Sequence, residues 1–83
     1  MDKTLRLLYF ADVALQTGTR EESVSLPEDA TLSELQESLY QRYPQLKAMQ
    51  KHLLWSVDEE LASGGTRLSQ AQRVGVMPPF SGG

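Results

Sequence analysis

This chain has no cysteine in its 83 residues and a single histidine, His52. The first absence excludes disulfides, thiolate metal centres and a cysteine nucleophile, and it makes a cytosolic location the default expectation. The second leaves no imidazole set for a metal, so no metal site is expected and His52 reads as a surface or half-buried residue. No apolar run approaches the ~20 residues that a membrane-spanning helix needs. The opening Met1-Asp2-Lys3-Thr4 lacks the charged, apolar, then small layout of a secretory signal. Positive charge is also in short supply: Lys and Arg number 8 against 11 Asp and Glu, a net charge of −3. That balance argues against non-specific nucleic-acid binding and against a basic membrane-surface module. Gly64-Gly65 is not followed by the Lys-Ser/Thr of a phosphate loop and reads as a turn. Sulfur chemistry, if any, would need sulfur from outside, attached to something other than a thiol.

What is present describes one modest soluble domain, 40% hydrophobic and 23% charged. Lys3 to Phe10 alternates as a strand whose odd face, Leu5, Leu7 and Tyr9, is the better core candidate. Leu8 and Phe10 are left on the other face, where a half-buried sheet is normally polar. Ala11 to Gln16 suits a short helical turn stopped by Gly18. Arg20 to Leu26 is a second strand, with Glu22, Val24 and Leu26 on one side, broken by Pro27-Glu28-Asp29. Thr31-Leu32-Ser33-Glu34 matches a capping box. It opens a helix from about Leu32 to Arg42 with an apolar stripe of Leu32, Leu35 and Leu39, ended near Tyr43 by Pro44. Gln45 to His52 suggests a loose second turn of helix. Leu53 to Asp58 is a third strand, Glu59 to Ala62 a short edge segment, Ser63 to Thr66 a turn and Leu68 a lone apolar anchor. Arg73 to Met77 is the final strand. Asp58-Glu59-Glu60 reads as a solvated turn, and Trp55 as core.

Two strands, a helix and further short strands predict an α+β roll, a mixed four- to five-stranded sheet with one main helix on one face. With the first and last strands side by side at its centre, Leu7, Tyr9, Val74 and Val76 stack beneath the helix, and Leu8, Phe10 and Met77 gather on the uncovered side. Such a cluster is a partner site, a packed face or surface scatter. It lies where the chain leaves for Pro78-Pro79-Phe80-Ser81-Gly82-Gly83, stiff and apolar, then bare of side chains. That stretch is either a frayed terminus or a carboxylate presented to an enzyme through a slot that admits only backbone. Residues 1–77 are thus expected to form the domain and 78–83 a flexible tail.

Four stretches resemble the small, sulfur-carrying subunit of molybdopterin synthase, a ubiquitin-like β-grasp family. They are Leu7-Leu8-Tyr9-Phe10-Ala11-Asp12-Val13, Thr31-Leu32-Ser33-Glu34-Leu35, Val57-Asp58-Glu59-Glu60-Leu61, and the terminal run from Val74 to Gly83. Pro-Pro, an apolar residue and Ser-Gly-Gly at the end is the most specific of them. The resemblance implies a β-grasp fold and a group carrier with no permanently bound cofactor. An adenylating, E1-like enzyme would join the Gly83 carboxyl to AMP, and a sulfur-donating enzyme would convert it to a thiocarboxylate. The large synthase subunit would take the tail and pass sulfur to a cyclic pyranopterin precursor, forming the molybdopterin dithiolene. The complex implied is a heterotetramer. Gly82 and Ser81 would thread the slot, Phe80, Pro79 and Pro78 would anchor it, and Phe10, Leu61 and Met77 would form the apolar interface; Leu61 comes from the likeness alone. Sulfur supply to thiamine or cysteine synthesis, a ubiquitin-like modifier joined to proteins through Gly83, and a plain interaction domain with an inert tail are the alternatives. The chain departs from the family in three places. Asp58 stands for the usual Asn, Ser69-Gln70-Ala71-Gln72 replaces a stretch with an Asp-Gly turn, and Phe80 is bulkier than the usual valine. Ala71 would resist positive φ, so that turn needs another geometry.

Overall fold

The computed structural model describes residues 2–78. The elements run β1 (Asp2–Tyr9), α1 (Asp12–Thr17), β2 (Glu21–Pro27), α2 (Leu32–Arg42), α3 (Pro44–Ala48), β3 (Leu54–Val57), β4 (Glu60–Leu61) and β5 (Arg73–Met77). They form a five-stranded mixed sheet in the order β2-β1-β5-β3-β4, the β-grasp roll expected. Its central pair, β1 and β5, is parallel, with Leu7 opposite Val74 and Tyr9 opposite Val76. β2 flanks β1 and β3 flanks β5, both antiparallel. The second strand runs one residue beyond its expected limit. Pro27 pairs with Asp2, which a proline can do because β2 is an edge strand.

Alternation decides which face is buried. Leu5, Leu7, Tyr9, Leu26, Trp55, Val74 and Val76 pack with Leu32, Leu35 and Leu39 of α2. Tyr40 joins them, its ring edge-on to Trp55 with centroids 6.3 Å apart. In place of the loose helical turn expected over Gln45 to His52, a short helix α3 runs Pro44–Ala48 and residues 49–52 form turns; its Leu46 is fully buried. The α2 capping box is complete: Glu34 N–H donates to Thr31 Oγ1, and Thr31 N–H donates to the Glu34 carboxylate. Two further donors of its first turn, the Leu32 and Ser33 N–H groups, reach the carbonyls of Thr66 and Gly64 at 2.8 Å. The 63–68 segment thus satisfies what the cap alone leaves open, and Leu68 anchors it in the core.

The two scaffold departures have physical answers. Asp58 and Glu59 both have positive φ, 48° and 76°, the signature of a tight hairpin turn that Asn and Asp tolerate best. The Asp58 carboxylate accepts from the N–H groups of Gln72 and Arg73, both at 3.0 Å. Ala71 stays out of the left-handed region and is buried instead. Lys3 closes this turn: its Nζ donates to the carbonyls of Leu68, Ser69 and Ala71. A side-chain ammonium gathers the carbonyls here, and the turn does without a glycine.

Candidate partner-docking site

On the face away from α2, register places side chains in rows. Leu54 lies opposite Met77, and Ser56 lies between Leu61 and Gly75. Gly75 in turn lies beside Leu8. Phe10 follows β1, and its N–H donates to Val76 O at 3.1 Å, which brings it alongside Met77. Leu61 is 71% exposed and Phe10 46%, while Leu8, Leu54, Met77 and Pro78 are half-buried. The apolar group therefore sits where β5 leaves the sheet. Arg6 and Arg73 occupy the opposite end of the same face, in exposed ion pairs with Glu21 at 3.8 Å and Glu59 at 3.6 Å.

Two backbone features fix Phe10. A Cβ added to Gly75 would stand 3.2 Å from the Phe10 ring and 2.5 Å from Ser56 Oγ; glycine is what lets the ring lie close on the sheet. Ala11 has φ 50° and ψ −123°, the first-corner geometry of a type II′ turn that normally takes glycine. The turn closes with Val13 N–H donating to Phe10 O at 3.0 Å. A non-glycine residue there carries strain of about 1–3 kcal/mol, and the strain sits directly after the exposed aromatic.

The titratable groups with shifted values lie mainly at a different place, the seam between β2 and the end of α2. The Glu22 carboxylate accepts from Tyr9 Oη at 2.5 Å, Tyr43 Oη at 2.8 Å and an Arg42 guanidinium nitrogen at 2.6 Å. Burial pushes the Glu22 carboxyl up, but the hydrogen bonds from Tyr9, Tyr43 and Arg42 outweigh it and hold the carboxyl below its ordinary range. Burial and the same carboxylate push both tyrosines up, Tyr9 far above the ordinary phenol range. The Glu22 carboxylate is spent on these three hydrogen bonds, with Tyr9 buried beneath it and Arg42 at the surface, so the cluster reads as a structural tie.

Of the residues singled out in the sequence, Phe10, Leu61 and Met77 come together on one face, and Pro78 directly follows Met77 at the end of β5. Pro79, Phe80, Ser81, Gly82 and Gly83 lie outside the described residues. Sequence reading missed Leu54, assigned by its run to a strand but not to this face; its pairing with Met77 needs the sheet order. His52 is exposed. The described residues contain no cluster of acidic or histidine side chains suited to a metal.

The family model described as the ThiS family matches residues 7–83. The chain belongs to the ThiS family. Among curated proteins of similar sequence, the molybdopterin synthase sulfur carrier subunit of Caenorhabditis elegans is 32% identical over 82 residues, 96% of this chain and 98% of that protein. The protein of the same description from Homo sapiens is 32% identical over 82 residues, covering 95% and 93%. Among solved structures, SAMP1 from Haloferax volcanii superposes with a TM-score of 0.84 at 25% identity, over 98% of this chain and all of that one. A putative molybdopterin converting factor subunit 1 from Pyrococcus furiosus gives 0.82 at 26%, over 93% and 98%.

Proposed function

We propose that this chain is the sulfur-carrier subunit of a molybdopterin synthase. The observation that carries the reading is near-full-length similarity to curated ThiS-family subunits of that description, joined to an apolar face beside the point where the tail departs. The Gly83 carboxylate is the reacting group. A carboxylate is a poor electrophile, so an E1-like enzyme couples it to AMP. A sulfur donor then displaces AMP at the acyl carbon and leaves a thiocarboxylate. Gly82 and Ser81 pass through a narrow channel in the large synthase subunit, while Pro78, Pro79 and Phe80 set the reach. Phe10, Leu61 and Met77, with Leu8 and Leu54, dock on that subunit's surface. Acid and base groups belong to the partner; this chain supplies the sulfur and holds it in place.

Intact-mass analysis of the protein recovered from cells tests the reading. One terminal oxygen exchanged for sulfur is the expected finding, lost when Gly83 is deleted. Full sulfur transfer by a chain carrying one extra residue after Gly83 overturns it. The fold likeness to SAMP1, a small archaeal modifier protein, favours a second reading as a protein modifier. That reading requires isopeptide conjugates ending in Gly83.

A further inference from the structure

The most exposed large apolar residue in the described structure is Leu15, 79% exposed, and neither the fold nor the face described above uses it. The reason is geometric. α1 is anchored by buried Val13, and two residues further along a helix is a rotation of about 200°, so Leu15 points away from the core. It does not stand alone on the surface. Leu15, Ala14 and Arg20 are shared by two adjoining open hollows. One, of about 360 Å³, is also lined by Tyr9, Phe10 and Ala11; the other, of about 270 Å³, by Gly18 and Thr19. The first is continuous with the apolar face through Phe10. Among the described residues Arg20 forms no ion pair, whereas Arg6, Arg42 and Arg73 each do. An unpaired guanidinium thus lies beside two adjoining open hollows, the smaller mainly apolar and the larger of mixed lining, next to the strained Ala11 turn.

We propose that the Leu15–Arg20 hollow is a second docking element for the protein that covers Phe10. It receives one apolar side chain of that protein, and an adjacent carboxylate of the same protein pairs with Arg20. This rests on the sulfur-carrier reading, which makes that protein the large subunit of the synthase. Positive charge flanking an apolar recess selects such a pair, because the carboxylate is satisfied at the rim while the apolar group leaves water. The site extends the interface from the sheet onto α1, and it can discriminate among partners whose contacts with the shared sheet face are alike.

The test is binding of the full chain to the purified large subunit by calorimetry, with Leu15→Ser, Arg20→Glu, Arg20→Lys and Leu61→Asp. Leu15 and Arg20 are both exposed, so their variants should melt as the parent does. Loss of about tenfold or more in affinity is expected for Leu15→Ser and for Arg20→Glu, with Arg20→Lys close to the parent. Parental affinity in both Leu15→Ser and Arg20→Glu, while Leu61→Asp binds weakly, overturns the second element and leaves the sulfur-carrier reading standing. No binding by the parent chain counts against that reading itself. Leu15-dependent dimerisation of the chain alone, or occupation of the hollow by its own residues 79–83, also overturns the proposal.

Discussion

Gly75 shows how one missing atom can shape a surface. It lies on the central strand with its open side toward Phe10 and Ser56. Alanine there forces the Phe10 ring and the Ser56 hydroxyl to move. We predict that Gly75→Ala costs about 1 kcal/mol of stability or less, measured by chemical denaturation, because Ser56 Oγ and the exposed Phe10 ring can both give, and that it weakens binding of the large subunit by displacing Phe10. An unchanged denaturation midpoint together with unchanged affinity would refute the role given to this glycine. Ala11 makes the opposite point. A residue with a side chain occupies a corner normally left to glycine, and its strain aims both Phe10 and α1. Sequence alternation identified Phe10 as misplaced for a core; the reason its ring can lie close on the sheet is visible only across strands, at Gly75.

At the scale of elements, the tie between β2 and α2 depends on the ionisation of one group. The Glu22 carboxylate collects two phenol hydroxyls and a guanidinium. The Arg42 side chain is about half exposed at 48%, so its ion pair adds little, and the hydrogen bonds from buried Tyr9 and half-buried Tyr43 carry the effect. Because the folded-state value is lowered from 4.5, this stabilisation is present above pH 4.5 and is lost as pH falls through the lower folded value. The tyrosines act at the other end. Their values are raised from 10.0, so their contribution is complete below pH 10 and declines above it. Glu22→Gln should cost about 2 kcal/mol at neutral pH, with the difference from the parent shrinking in acid below pH 4.5. Urea titrations across pH measure it, and a difference that stays constant into acid would remove Glu22 ionisation as the cause. The sequence placed Glu22 on the inward face of its strand without a reason for an acid there. Tyr9 comes from β1, and Arg42 and Tyr43 from the end of α2, so only folding could supply the reason.

At the scale of the whole molecule, the sheet and its helices hold the apolar face and the end of β5 in fixed relation. Leu61 is mostly exposed on a two-residue edge strand, so removing its apolar surface should leave the fold intact. Leu61→Asp is expected to melt with the parent yet lose tenfold or more in affinity for the large subunit; equal affinity would detach β4 from the docking face. Period-two alternation, the Thr31–Glu34 capping box and the Pro44 stop were enough to specify the strands, the main helix and the inward side of each, because those choices follow from local geometry and from keeping apolar groups out of water. The terminal signature likewise points to a carrier through its family likeness, which owes nothing to packing. Tertiary structure alone decided that Leu54 joins Met77, that Lys3 replaces a glycine turn by gathering three carbonyls, and that Leu15 lies beside Arg20 and Phe10. Each of these is a meeting of residues distant in sequence or turned to a particular side. Which distant groups meet is set by strand order and register, and no local pattern encodes those distances.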